Sequence, residues 1–345
     1  MRPLPRWSVS ADTVGGRMSP ARRALGTLLL AAPLGLSQAQ PAPRVQRIGV
    51  LSLSRAASER TRFETAALRN ALRGAGLEEG RNLQIEWRFA EADVARLADL
   101  ADELVRLDVA LILAVTNDPL QAAMRATRRI PIVVIAAVLP VELGLVRSLA
   151  QPGGNVTGTA WASVEIAGKA LQILRDAVPR AARVAILVNS TEPATPLYMV
   201  ENRRAARALG LVIDVIDIAG HPSLAAALQR VADSQPDALL VGSERLAGIQ
   251  LGEIAAFAQQ ARLPAIGVTP QYMLVGGAMY YGPNPASLAE RSASFVARIL
   301  NGALPADLPM ELPTLYDLII NRGALKAIGV AIPPALLLRA DKVIE

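Results

Sequence analysis

The sequence predicts an α/β protein of two similar lobes, each built on a parallel sheet that helices cover on both faces. Short apolar runs alternate with amphipathic segments from Arg47 onward, which is typical of buried parallel strands joined by helices. Landmarks of the first half recur in the second half, 129 to 136 residues later. A length of 345 residues and an apolar fraction of 52% are sufficient for two hydrophobic cores.

The first half contains four predicted strands with helices between them. Residues 48–53 form an apolar run without alternation, which indicates a strand buried on both faces. The next segment places Phe63, Ala67, Ala71 and Leu72 on one helical face. The other predicted strands are 83–87, 109–115 and 132–135, and the second helix is marked by Val94, Leu97, Ala101, Leu104 and Val105.

The second half repeats this pattern. A strand beginning at Arg183 corresponds to the strand beginning at Arg47, and Pro264 follows Arg262 by two residues just as Pro131 follows Arg129. Asp237 before a strand is matched with Asp108 in the first half. These landmarks predict two Rossmann-like lobes in tandem, with ligand groups beyond the carboxyl ends of their strands and a cleft between the lobes.

The amino terminus has the order of a secretory signal. Arg22 and Arg23 precede an uncharged stretch of 13 residues, 24–36, and Ser37 and Ala39 supply the small residues before a cleavage site. A bilayer span takes about 20 residues, so this stretch is too short to be one. The sequence therefore predicts cleavage after residue 39, Sec or Tat export, and no lipid anchor, because no cysteine follows; Met18 is an alternative start.

Composition excludes several classes of site. The chain has no cysteine and a single histidine, His221, so a thiolate metal site, a cysteine nucleophile and a Ser-His-Asp triad are disfavoured. The net charge is +6, but 31 basic and 29 acidic residues remain after residue 39, a charge of +2 that disfavours a nucleic-acid partner. Dinucleotide, phosphate-loop and nucleophile-elbow motifs are absent from the sequence. We therefore expect no cofactor, no metal and no enzymatic activity.

Five motifs, in this order along the chain, resemble one family: the substrate-binding proteins of bacterial ABC transporters, with the type I periplasmic-binding fold. The resemblance implies two lobes linked by several crossovers, a small solute, often an amino acid, as ligand, and an inner-membrane ABC permease as partner. It also implies periplasmic localisation. The motifs are Pro152-Gly-Gly-Asn-Val-Thr-Gly158, Ala177-Val-Pro-Arg-Ala-Ala-Arg-Val184, Arg262-Leu-Pro-Ala-Ile266, Gly276-Gly-Ala-Met-Tyr-Tyr-Gly-Pro-Asn284 and Ile332-Pro-Pro-Ala-Leu-Leu-Leu-Arg-Ala-Asp341.

The same resemblance suggests the organisation of the mature chain, which we expect to be monomeric. After the signal and a lead-in at 40–46, the first lobe is predicted at 47–158 with a returning segment at about 284–316. The second lobe is predicted at 159–283, completed by about 317–345.

Strand ends, and then family position, predict the ligand-binding residues. Hydroxyl groups and free N–H groups at a helix start suit a carboxylate, and Asp118 or Glu192 suits an ammonium, so together they suit a zwitterion. Where amino-acid binders of the family often have Glu followed by Asn-Ser, the chain has Glu192-Pro193-Ala194-Thr195, which leaves the ligand's identity open. The predicted residues are Ser52, Ser54, Thr116, Asn117, Asp118, Ala137, Asn189, Ser190, Glu192, Ser243, Glu244, Thr269 and Tyr281.

Two alternative functions use the same fold. A sensory module would pass ligand occupancy to a membrane receptor, and an exported enzyme would need a carboxylate pair formed in the closed cleft. A cytoplasmic repressor is excluded by the export signal and by the absence of a helix-turn-helix segment before Arg47.

Overall fold

A computed structural model describes residues 45–161, 164–242 and 251–345. The predicted signal and most of the lead-in therefore lie outside the described residues. The first sheet has five parallel strands in the order β2-β1-β3-β4-β5. They are β1 Gln46–Ser52, β2 Leu83–Phe89, β3 Leu111–Val115, β4 Ile132–Ala137 and β5 Val156–Ala160.

The second sheet repeats this strand order and extends it to β7-β6-β8-β9-β10-β11-β12. Its strands are β6 Arg183–Val188, β7 Val212–Asp217, β8 Ala238–Val241, β9 Ala265–Gly267, β10 Met279–Pro283, β11 Tyr316–Asn321 and β12 Lys342–Ile344. The shared order of the first five strands confirms the predicted tandem α/β fold.

One strand pair differs from the prediction of purely parallel sheets, because β10 and β11 are antiparallel. Pro283 at the end of β10 is paired with Tyr316 at the start of β11. The chain leaves the second sheet and re-enters it at the same edge, so β11 has to run in the opposite direction.

Eleven described helices surround the sheets. They are α1 Glu59–Gly74, α2 Arg96–Arg106, α3 Asn117–Ala126, α4 Glu165–Ala177, α5 Thr195–Leu209, α6 Leu224–Asp233, α7 Leu251–Gln260, α8 Gln271–Leu274, α9 Pro285–Leu300, α10 Arg322–Ala327 and α11 Pro334–Leu337. Side-chain caps begin several of them: the Ser58 hydroxyl accepts from Thr61 N–H before α1, and Asn284 Oδ1 accepts from Ser287 N–H before α9.

Each sheet is buried on both faces, which explains the uninterrupted apolar runs of its strands. In the first sheet, one face packs α2 and α3 and the other packs α1 and α9. In the second sheet, α4, α5, α10 and α11 cover one face, whereas α6 and α7 cover the other. Glycine at position 49 lets α2 approach β1, since a Cβ there would lie 2.7 Å from the Leu104 side chain.

The first lobe is assembled from two separate stretches of chain. Residues 285–311 return to it, and Phe295 of α9 is buried in the core beside β1 and β3. The Thr157 hydroxyl donates to the Leu308 carbonyl at 2.7 Å, and Glu311 N–H donates to the Gly158 carbonyl at 3.0 Å. We call residues 45–160 with 285–311 the first lobe, and 164–283 with 316–345 the second lobe.

The crossovers between the lobes are bonded to one another. Asn284 N–H donates to the Leu315 carbonyl at 2.9 Å. The Asn284 side-chain amide also donates to the Asp317 carboxylate at 2.9 and 3.0 Å. The segments at 283–285 and 311–317 therefore run side by side as a linked pair, which is where a hinge between the lobes has to bend.

Candidate functional site

Thr116 follows β3 in a backbone conformation that residues with a side chain rarely adopt. Its φ is 68° and its ψ is −171°, a region populated almost only by glycine. Its N–H donates to the Ile135 carbonyl at 3.0 Å, and its carbonyl accepts from Leu120 N–H at 3.2 Å. Backbone strain of this kind persists only where the surrounding structure holds it, and it concentrates at functional sites. The half-buried Thr116 is therefore the strongest candidate in the first lobe.

The Asn117 side chain is used within the first lobe. Its Nδ2 donates to the Val138 carbonyl at 2.8 Å, and its Oδ1 accepts from Val138 N–H at 2.9 Å. The residues on either side of Val138's segment, Ala136 and Leu139, have φ values of 61° and 44°. Asn117 thus holds the irregular backbone after β4, so that Val138 and Leu139 pack against the second lobe.

A hydrogen-bonded turn follows β6 in the second lobe. Asn189 Oδ1 accepts from Thr191 N–H at 3.0 Å, and Asp217 at the end of β7 accepts from Ser190 N–H at 2.9 Å. Partial burial opposes ionisation of Asp217, but bonds from the Ser190 side chain and from the Ser190 and Ala219 N–H groups outweigh it and lower its pKa. Asp217 is therefore ionised at neutral pH and fixes the turn that leads to Glu192.

An apolar cluster joins the two lobes at this edge, and we call it the interlobe cluster. Ala136, Val138 and Leu139 of the first lobe pack with Trp161, which follows β5. The other buried members are Ile166, Ala194 and Leu288, and Tyr198, Tyr281 and Tyr316 pack against them. Both lobes contribute to this cluster, so their strand ends face each other as a cleft requires.

A cavity opens beside the interlobe cluster, on the second-lobe side. Its empty space is about 360 Å³, including open solvent at the mouth, a volume within the range of small-molecule sites. Two polar side chains on its wall are almost completely buried, since Glu192 is 7% exposed and Asn202 is 2% exposed. The described lining residues are Trp161, Ile166, Ala167, Glu192, Tyr198, Asn202, Leu240, Gly242 and Val268.

The other predicted residues of the first lobe lie at strand ends but differ in their surroundings. The Ser52 hydroxyl is buried and accepts from Ser54 N–H at 3.2 Å. Asp118 is half-buried in the first turn of α3. Ala137 is fully buried in the core of the first lobe, so its side chain has no free surface.

In the second lobe, Thr269 is buried directly after β9. Tyr281 is half-buried against the interlobe cluster, and its ring stacks on Tyr316 with centroids 6.0 Å apart. Burial raises the pKa of the Tyr281 phenol, so it stays protonated at neutral pH. Its neighbour Tyr280 faces the core, where its hydroxyl donates to the Pro283 carbonyl at 2.8 Å. Ser243 and Glu244 lie outside the described residues.

Three cavity residues were missed in the sequence. Trp161 follows β5, so the same strand-end rule that selected Thr116 and Glu192 could have found it. Tyr198 and Asn202 are four residues apart on α5 and share one helical face with Ala194. The signal for Asn202 was an amide on the face that α5 buries.

The described residues contain no group of three or more His, Asp or Glu side chains that could hold a metal ion. None of the helices in the described ranges is long and apolar enough to cross a bilayer. The chemistry that the described cavity offers is an aromatic and aliphatic wall with one carboxylate and one amide, which suits binding of a small polar molecule.

Comparison with known families assigns the chain. Residues 56–344 match the family model described as ABC transporter substrate binding protein. The chain belongs to this family. A curated relative, a tyrosine-binding protein of Clostridioides difficile strain R20291, is 26% identical over 259 residues, which are 75% of this chain and 74% of the relative.

Solved structures of related binding proteins share the fold. A conserved domain protein from Vibrio cholerae superposes with a TM-score of 0.79 at 24% identity, covering 87% of this chain and 100% of that one. The ABC domain from Streptococcus pneumoniae in complex with L-Trp gives a TM-score of 0.78 at 22% identity, with the same coverage of 87% and 100%. Both confirm the fold expected of this family.

Proposed function

We propose that this chain is the extracytoplasmic solute-binding component of an ABC importer. It captures a small, amino-acid-like solute between its lobes and delivers it, chemically unchanged, to an inner-membrane permease. The amino-terminal 39 residues serve as its export signal, and the mature protein works as a monomer. The observation that carries this proposal is the cavity beside the interlobe cluster, where a substrate-binding family member buries Glu192 among aromatic side chains.

The polar groups at the two strand-end edges suit the two ends of a zwitterion. In the first lobe, the Thr116 hydroxyl and the amino-terminal end of α3 favour a carboxylate, because free N–H groups and the helix dipole attract an anion. In the second lobe, the Glu192 carboxylate favours a cation. The relatives named for tyrosine and for L-Trp make aromatic amino acids the first ligands to try.

Closure of the lobes then links capture to transport. A ligand that touches both lobes stabilises the closed form in proportion to its differential affinity for that form. The closed form presents the faces of both lobes together, which is the surface that a permease can distinguish from the open one.

A thermal-shift screen of the purified protein tests the proposal. The probes are the twenty amino acids and small carboxylates, each at millimolar concentration. A ligand at 100 times its Kd stabilises the folded protein by about 2.7 kcal/mol, which is readily measured. Recovery of the bound compound unchanged after incubation is expected. No shift with any amino acid would overturn the ligand class, and conversion of the compound would overturn the absence of catalysis.

Two tryptophans supply a matched pair of variants. Trp161 lines the cavity, whereas Trp87 lies on the edge strand β2, where the Arg69 guanidinium sits 4.9 Å from its ring centroid. Trp161→Leu should abolish the ligand-induced shift, and Trp87→Leu should keep it. Equal responses of the two variants would contradict the assignment of the cavity.

A further inference from the structure

Asn202 presents a buried hydrogen-bond acceptor that no protein group uses. The residue lies on α5, is 2% exposed and lines the cavity. Its Oδ1 has no hydrogen-bond partner in the described structure, and its Nδ2 has only a weak contact with Met199 Sδ at 3.9 Å. A buried polar atom without a partner is costly and uncommon in a folded protein. A ligand donor that enters the cavity would supply the missing bond.

Close packing holds Asn202 in this position. The preceding residue, Glu201, bonds Arg204 through both carboxylate oxygens, at 2.7 and 2.8 Å. Gly168 of α4 faces this carboxylate so closely that a Cβ there would lie 2.7 Å from Glu201 Oε1. The two helices are thus locked together at Asn202, and its amide cannot turn away to reach water without breaking that packing.

The charge of the cavity selects one end of a zwitterion. Glu192 is the only charged side chain among its described lining residues, so the wall carries a negative charge. Trp161 and Tyr198 add aromatic faces, which attract cations. Asn202 Oδ1 adds an acceptor. All four features favour a group that is cationic and donates hydrogen bonds, and they disfavour a carboxylate.

We propose that Asn202 and Glu192 form a subsite for the primary ammonium group of the ligand, so that the ligand's amine enters the second lobe and its carboxylate faces the first. This inference rests on the proposed function and adds to it the orientation of the ligand and the residue that requires an amine. An ammonium has three donors, enough to bond both Asn202 Oδ1 and the Glu192 carboxylate. The remaining apolar lining then contacts the body of the ligand.

Matched probes test the requirement for an amine. One set is L-tyrosine, tyramine and 3-(4-hydroxyphenyl)propionate; the other is L-leucine, 3-methylbutylamine and 4-methylpentanoate. In each set the second compound lacks the carboxylate and the third lacks the amine. For the set whose amino acid binds, calorimetry of the wild-type protein should give an affinity at least 10-fold higher for the amine than for the acid. An acid that binds as well as the amine overturns the proposal.

Asn202→Leu separates this role from a structural one. Because leucine replaces an amide that makes no strong protein bond with an apolar group of similar size, the melting temperature of the unliganded variant should be no lower than that of the wild type. Its affinity for the amino acid and for the amine should fall by the same factor, at least 10-fold, while any affinity for the acid changes less than 2-fold. Met199→Leu, which alters the neighbouring buried side chain outside the cavity lining, should keep the wild-type affinity.

The outcomes distinguish this inference from the proposed function. If the amino acid binds the wild type and Asn202→Leu binds it equally well, the subsite is wrong and the binding function stands. A lower melting temperature for unliganded Asn202→Leu, with equal loss of affinity for amine and acid, indicates a structural asparagine and also overturns the subsite. If neither set binds the wild type, the amino-acid ligand and the subsite fall together.

Discussion

Gln271 Nε2 donates a hydrogen bond of 2.9 Å to Glu64 Oε1, and this bond joins α8 of the second lobe to α1 of the first. The two residues are 207 positions apart, and both are half-buried. A bond between the lobes breaks when they swing apart, so it stabilises only the closed arrangement. Because it lies away from the linked crossovers at Asn284, it acts as a latch.

Gln271→Ala should open the unliganded protein. Loss of one hydrogen bond to a carboxylate removes about 1.5 to 3 kcal/mol at most from the closed form, so ligand affinity should fall by about 10-fold or more if closure limits binding. Small-angle X-ray scattering should show a larger radius of gyration without ligand. Gln259→Ala, which removes a 3.2 Å bond to Gly276 within the second lobe, is the control and should change neither quantity. An unchanged radius for Gln271→Ala would contradict the latch.

Thr116→Gly should separate stability from binding. Glycine adopts the φ of 68° without strain, which recovers about 1 to 3 kcal/mol, while its freedom in the unfolded chain costs about 0.4 to 1 kcal/mol. The free energy of unfolding should therefore rise, and affinity should fall because the hydroxyl is gone. Thr116→Ser keeps the hydroxyl and should keep the affinity. Urea unfolding and calorimetry measure both, and a glycine variant that binds like wild type would remove Thr116 from the site.

Gly158→Ala should be among the most damaging single substitutions in the first lobe. Its φ is 136°, and a Cβ there would lie 2.1 Å from the Val134 carbonyl oxygen in the neighbouring strand. We expect a loss of about 3 kcal/mol or more in the free energy of unfolding, because the sheet must shift to admit the methyl group. Gly252→Ala is the control: it lies on α7 with open space around the new Cβ, and should be neutral or stabilising. Similar melting temperatures for the two variants would refute this reading.

Asp237 should contribute to the acid sensitivity of the second lobe. Its carboxylate accepts from Arg183 N–H at 2.8 Å and Ala182 N–H at 2.7 Å, and these bonds lower its pKa. Because the pKa is lower in the folded state, its contribution to stability is complete above the unfolded pKa of about 3.9 and is lost as the pH falls through the folded value. Asp237→Asn should shrink the difference in unfolding free energy between pH 6 and pH 3. Asp102→Asn, at an exposed position on α2, should leave that difference unchanged.

The repeat in the sequence predicted the fold because the same backbone contacts recur in both sheets. Ile112 N–H donates to the Pro131 carbonyl and Leu239 N–H donates to the Pro264 carbonyl, each at 2.9 Å. The match of Asp108 with Asp237 was out of register. Asp237 N–H donates to the Arg183 carbonyl, whereas the group that donates to the Arg47 carbonyl is Ala110 N–H, two residues after Asp108. A loop of different length before the strand produces that shift, and sequence spacing cannot detect it.

The candidate site was only partly predictable for a similar reason. Residues at strand ends, such as Glu192, are placed by topology, so the alternating pattern of strands and helices was enough to select them. Asn202 reaches the cavity from the second turn of α5, and its position depends on how closely α4 and α5 pack at Gly168. That distance is a property of tertiary packing, which helical periodicity alone does not specify.

The return of residues 285–311 to the first lobe determines the order in which the protein can fold during its synthesis. Phe295, Val296 and Ile299 of α9 are buried in the same core as Ile48 and Leu111, so the ribosome completes that core only after nearly the whole chain has emerged. The first sheet to be translated is therefore the second to be finished. A chain that stops before α9 has five strands with one face uncovered, which is an aggregation-prone state rather than a smaller domain.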